Sequence, residues 1–111
     1  MKAAPTVPFY SASKADVDSL TKAAALGYAK EGIRVNAIDA GAFRTPRLEG
    51  FLDRMSGGHP EDAAARYAGA IPLGRIGQPD EIARAVVWLC SDAASYITGH
   101  TLAVDGDLLA M

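Results

Sequence analysis

Gly32-Ile33-Arg34-Val35-Asn36-Ala37-Ile38-Asp39-Ala40-Gly41 is the stretch on which the fold turns. Ile33, Val35 and Ala37 alternate with Arg34, Asn36 and Ile38, which predicts a short strand over Ile33 to Asp39, ended by Gly41. Upstream, residues from Ser11 to Glu31 are rich in Ala, Leu and Lys and contain no Pro. Val17, Leu20, Ala24 and Tyr28 recur at spacings of three and four, predicting one apolar face of a long helix. Lys30 and Gly32 are stop signals for it, a cation at the negative end of the helix dipole and then a residue free to turn left-handed.

Downstream of the strand the pattern returns to helix. Leu48, Phe51, Leu52 and Met55 fit a short amphipathic helix, Ser56-Gly57-Gly58 breaks it, and Pro60-Glu61-Asp62 opens a second. Pro79 suits a first helical position, with Asp80 and Glu81 where carboxylates favour a helix N-terminus. Ile82, Ala85, Val86, Leu89 and Cys90 then form an apolar stripe, and the lone cysteine reads as a reduced core thiol. Trp88 and Tyr96 read as core or subunit contacts. His100 to Val104 is a second strand, stopped by Asp105-Gly106. Strands joined through helices make a βαβ arrangement and an α/β fold.

The composition suits a globular chain. Of 111 residues 50% are hydrophobic and 22% charged, and 11 basic residues stand against 13 acidic ones. That balance leaves no positive surplus for a phosphate backbone, so nucleic acid is not an expected partner. No apolar run reaches the roughly 18 to 20 residues that cross a bilayer, and the first residues do not read as a secretory signal. The expected compartment is the cytoplasm. No repeat or low-complexity tract divides the chain, which reads as one unit over residues 1–111.

Tyr10 and Lys14 carry the most suggestive chemistry. Four residues apart on a helix, they lie on one face about one turn apart. A phenol ordinarily titrates near ~10, and an adjacent ammonium favours its ionised form, which suits it to proton exchange with a carbonyl or alcohol. The spacing alone also arises readily by chance. His59 and His100 lack a third ligand at any recognisable spacing, so no metal site is expected. Arg44 and Arg47 could meet a phosphate but read more simply as solvated surface cations, and Asp105 and Asp107 as turn residues. Ser11 and Ser13 suit a helix start.

Taken together, Tyr10-Ser11-Ala12-Ser13-Lys14-Ala15, Gly32 to Ile38, Gly41 with Thr45, Pro72-Leu73-Gly74-Arg75, Gly77 to Ala83 and Ile97 to Gly106 resemble the C-terminal half of a classical short-chain dehydrogenase/reductase, in that family's order. The resemblance implies the C-terminal part of a Rossmann-like doubly wound parallel sheet. It implies an NAD(P)(H)-dependent oxidoreductase that interconverts a ketone and a secondary alcohol. Tyr10 would exchange the proton, and Lys14 would lower the phenol's pKa and bind the cofactor ribose. Ala40, Gly41, Phe43 and Thr45 would occupy the turn that meets the nicotinamide, with Ala40 where the family has Pro and Phe43 where an aliphatic residue is usual. Asp107 replaces a second glycine found in many members. The segment from Pro46 to Ala70 would bind substrate, with Leu48, Phe51, Leu52, Met55 and Tyr67 lining an apolar pocket.

The family's Gly-rich pyrophosphate fingerprint, the residue choosing NAD or NADP, and its substrate-orienting serine have no counterpart in these residues. The chain alone is therefore expected to be inactive and poorly stable or self-associating, and a full-length form to be a homo-oligomer. The alternative is a non-catalytic relative that associates with itself or related subunits.

Overall fold

The computed structural model describes residues 8–106, with side chains from Ser13 onward. The elements run α1 (Pro8–Tyr28), a 3₁₀ turn (Ala29–Glu31), β1 (Ala37–Ala40), α2 (Pro46–Ser56), α3 (Pro60–Gly69), α4 (Pro79–Cys90), a second 3₁₀ turn (Asp92–Ala94) and β2 (Thr101–Val104). Two compact units share these elements, one built from residues 8–39 and 86–102, the other from residues 40–85 and 103–106. β1 pairs with β2 in a two-stranded parallel sheet. The Ala37 N–H donates to the His100 carbonyl at 2.9 Å and the Gly41 N–H to the Val104 carbonyl at 3.0 Å, so the register is constant along the pair. In that register alternate peptides point to β2, and those of Ile38 and Ala40 face the opposite edge.

In the first unit, α1 ends as its sequence directs. Gly32 takes a left-handed φ of 75°, its N–H donates to the Ala29 carbonyl, and the Ile33 N–H reaches back to the Tyr28 carbonyl at 3.3 Å. Those two bonds close the helix with a Schellman motif. The strand is shorter than the alternation implies, because residues 33–36 spend their hydrogen bonds elsewhere. The Arg34 guanidinium donates to the carbonyls of Leu89, Ser91 and Ile97. The Val35 N–H donates to the Thr98 hydroxyl. Asn36 donates to the Ile97 carbonyl and accepts the His100 N–H.

The side of α1 that packs is not the one its apolar spacing marks. Thr21 and Ala25 are buried, whereas Val17, Leu20 and Tyr28 are exposed. Small side chains decide this: a Cβ on Gly99 would stand 3.4 Å from that of Ala25, a closeness that a leucine at position 25 would prevent. Thr21 tolerates burial because its hydroxyl donates to the Val17 carbonyl at 2.7 Å. Ser13 lies inside α1 and not at its start, which corrects the expectation of a serine cap.

On α4 the buried residue of the stripe is Leu89. Cys90, at the last position of α4, is exposed, contrary to its reading as a core thiol. Trp88 is 45% exposed and Tyr96 wholly so, so neither is core in this chain.

The second unit is organised by the α2–α3 hairpin. The Thr45 hydroxyl caps α2 by accepting the Leu48 N–H, Pro46 takes the first helical position, and Gly57 closes the helix at φ 63°. Pro60 starts α3 in the same way. Leu52, Ala63, Ala64, Ile71 and Ile76 form the core, with Leu48, Tyr67 and Ala68 packed against it. The two alanines let the helices approach closely. Glu81 locks the start of α4: its carboxylate accepts the Gln78 N–H at 2.6 Å while its own N–H donates to the Gln78 carbonyl at 2.9 Å. Arg75 holds the same carboxylate with two hydrogen bonds, at 2.9 and 2.6 Å.

Candidate functional site

Tyr10 and Lys14 lie four residues apart in the unbroken helix α1, one turn from each other along its axis. The Tyr10 side chain is outside the described side chains. Lys14 is half-buried, and its ammonium stands 3.9 Å from the Asp39 carboxylate at the end of β1. Asp39 is buried. One turn further along α1, Asp18 accepts the Thr101 hydroxyl of β2 at 2.7 Å and pairs with Lys22 at 3.0 Å. Those hydrogen bonds, the Thr101 one above all, hold the Asp18 carboxyl below its ordinary range.

Asp39 is the residue that reading along the sequence missed. The available signal was a charge on the strand face shared with Ala37, where alternation places apolar residues.

The turn after β1 belongs to the second unit. Gly41 is a steric requirement: a Cβ there would stand 2.7 Å from both Cα and Cβ of Asp105. Phe43 forms an isolated parallel bridge with Gly77, whose N–H donates to the Ala42 carbonyl at 3.0 Å and whose carbonyl accepts the Arg44 N–H at 2.9 Å. In that pattern the N–H and C=O of Phe43 itself turn to the side away from Gly77. Its ring is buried beneath Gly77. Thr45 serves as the α2 cap, where its hydroxyl accepts a bond and keeps its own proton to donate.

The residues expected to line an apolar pocket in α2 and α3 differ in burial. Leu52 is core, Phe51 meets Tyr67 edge-on with ring centroids 6.5 Å apart, and Met55 is exposed. One hollow of this unit, an open space of about 440 Å³, is lined by Ala42, Phe43, Leu73, Gly77 and Val104, with the Arg75–Glu81 pair at its edge. Arg44 pairs with Glu49 at 2.8 Å, which keeps its guanidinium more firmly protonated than usual. Asp107 falls outside the described residues. Among the described residues no group of three or more His, Cys, Asp or Glu side chains is placed to hold a metal ion, and no helix is long and apolar enough to cross a membrane.

Parallel strands joined through helices define an α/β chain with the C-terminal part of a Rossmann-like doubly wound sheet. Residues 1–107 match the sequence pattern of a family described as enoyl-(acyl carrier protein) reductase, and the chain belongs to the short-chain dehydrogenase/reductases. It is 52% identical over 100 residues to 3β-hydroxysteroid dehydrogenase 1 of Eggerthella lenta, covering 89% of this chain and 36% of that protein. A C-terminal deletion mutant of Thermoplasma acidophilum aldohexose dehydrogenase superposes with a TM-score of 0.89 at 36% identity, covering 95% of this chain and 46% of the other. L-sorbose reductase from Gluconobacter frateurii, solved with NADPH and L-sorbose, superposes with a TM-score of 0.88 at 31% identity over 94% of this chain and 41% of the other. The chain thus spans less than half the length of these relatives.

Proposed function

We infer that this chain supplies the proton-transfer pair and part of the nicotinamide contact of an NAD(P)(H)-dependent oxidoreductase that interconverts a ketone and a secondary alcohol. The observation that carries this reading is the sharing of α1 by Tyr10 and Lys14, one turn apart, with the Lys14 ammonium 3.9 Å from a carboxylate at the end of β1. Tyr10 gives its phenolic proton to the carbonyl oxygen in reduction and takes the alcohol proton back in oxidation. Lys14 favours the phenolate by its charge and donates to ribose hydroxyls.

The turn fits a nicotinamide carboxamide. Phe43 turns one peptide N–H and one C=O away from Gly77, a donor and an acceptor that match the amide's own pair, and Thr45 retains a hydroxyl proton. The dinucleotide supplies or takes up the hydride when bound. NADPH is named for the sorbose reductase and for a Bacilysin-biosynthesis reductase among the structural relatives. That supports a nicotinamide dinucleotide here without choosing its phosphate.

Tyr10→Phe in the full polypeptide tests the reading. Ketone reduction, assayed by loss of NAD(P)H absorbance over a panel of ketones, should fall by about 10²- to 10⁴-fold. Unchanged turnover would remove Tyr10 from the chemistry. A second reading, association with like or related subunits, is favoured by the exposed Leu20, Leu26, Val87 and Tyr96. Sedimentation of the purified chain tests it, and a monomer at all concentrations would exclude it.

A further inference from the structure

We propose that Asp39 is a positioning residue for Lys14: a buried carboxylate at the end of β1 that aims the ammonium and offsets part of its charge. The proposal deepens the oxidoreductase reading and rests on it for its catalytic consequence, though not for the contact itself.

A carboxylate taken out of water needs a compensating charge or hydrogen bonds. Asp39 is only 7% exposed, and among the described residues Lys14 is the cation within ion-pair distance of it. The 3.9 Å separation exceeds the roughly 2.7–2.9 Å of a charge-assisted hydrogen bond, so the carboxylate steers the ammonium without closing on it. The other nearby acid on the helix is committed elsewhere, because Asp18 is held by Thr101 and Lys22. Ala37 and Asp39 share one strand face.

Several charged and titratable groups can be placed around Lys14 among the described residues. Tyr10 precedes it by one turn on α1, Asp18 follows by one turn, and Lys22 lies beyond; β1 contributes Asp39, and β2 contributes Thr101, which does not titrate. Removing the Asp39 charge takes away one offset to the ammonium charge that acts on the phenol. The phenol then ionises at lower pH.

Two measurements on the full polypeptide test this. In the first, lysines are acetylated with limiting acetic anhydride and their rates read by mass spectrometry, with Lys22 and Lys30 as internal references. Asp39→Asn should speed acetylation of Lys14 several-fold relative to Lys22, and Asp39→Glu should restore protection. An unchanged ratio overturns the proposal. Asp39→Ser serves in place of Asp39→Asn if the amide does not fold. In the second, the midpoint of the alcohol-oxidation pH profile should move down by about half to one unit in Asp39→Asn. A lower melting temperature with an unmoved midpoint overturns the positioning role and leaves Asp39 merely structural. Failure of the oxidoreductase reading looks different: Tyr10→Phe keeps its turnover while the acetylation result stands.

Discussion

The ring of Phe43 lies directly against the Cα of Gly77, so that a methyl group built on that glycine would stand 2.6 Å from ring carbon Cε1. Residues 34 positions apart are thereby locked as one parallel bridge, and the bridge decides which way the Phe43 peptide faces. A side chain at 77 would have to push the ring aside.

Gly77→Ala should therefore destabilise the fold by about 1–3 kcal/mol through overpacking. Phe43→Leu in the same chain should recover much of that loss, because a smaller side chain vacates the contested space. Urea midpoints of the two single variants and the double variant measure the coupling. Strictly additive effects would contradict the contact.

Arg34 predicts a larger structural effect than its surface-like sequence context implies. Its guanidinium donates to the Leu89 carbonyl at 2.8 Å and to those of Ser91 and Ile97, each at 3.2 Å. These carbonyls lie at and beyond the end of α4, where backbone acceptors lack helical partners. Arg34→Ala should cost about 1.5–3 kcal/mol, and Arg34→Lys should recover only part, since one ammonium cannot span three acceptors. Faster amide exchange over residues 91–98 would accompany the loss.

Glu81 makes stability depend on acid. Its carboxyl is held at about 2 against an ordinary 4.5, chiefly by Arg75 and then by the Gln78 N–H. The folded chain thus binds this proton less readily than the unfolded one. The contribution is complete above about pH 4.5 and is lost as the pH falls through about 2. Glu81→Gln should flatten the acid limb of the urea midpoint plotted against pH. An unchanged limb would show that the Arg75 pair contributes nothing in solution.

Two glycines should respond oppositely to alanine. Gly27 lies inside α1 with nothing within 4 Å of an added Cβ, so Gly27→Ala should stabilise by about 0.5–1 kcal/mol. Gly41→Ala would drive a Cβ to 2.7 Å from the Asp105 Cα, and backbone cannot swing aside as a side chain can. That variant should show a markedly lower melting temperature than the parent. Equal melting temperatures for both variants would refute the packing at Gly41.

The elements legible along the chain are those with local signals. Pro46 with Gly57, Pro60, and Pro79 with Glu81 mark α2, α3 and the start of α4, because a cap acts within a few residues of itself. β1 was misjudged at its start because Arg34, Val35 and Asn36 bond to residues 55 to 64 positions away, which no periodicity records. The covered side of α1 was misjudged for a related reason. Val17, Leu20 and Tyr28 do recur at helical spacing, but the surface that approaches meets Thr21 and Ala25.

The candidate site divides in the same way. The placement of Tyr10 and Lys14 one turn apart was readable because both lie in one helix, and Gly41 because it ends a strand. Asp39 beside Lys14 was not. Nor was the hollow that Phe43 and Leu73 line from 30 positions apart.

Sequence by itself determined where the capped helices start and stop and the short-chain dehydrogenase/reductase family to which the chain belongs. Tertiary structure alone decided that Lys14 answers to a buried carboxylate 25 residues further on and that the Phe43 peptide turns away from Gly77. It also decided that Leu52 serves the core. The physical reason is range. Capping and left-handed glycines are settled by neighbours within one turn, whereas burial and charge pairing depend on which distant surfaces meet, and small residues such as Ala25, Gly41 and Gly77 decide how closely they do.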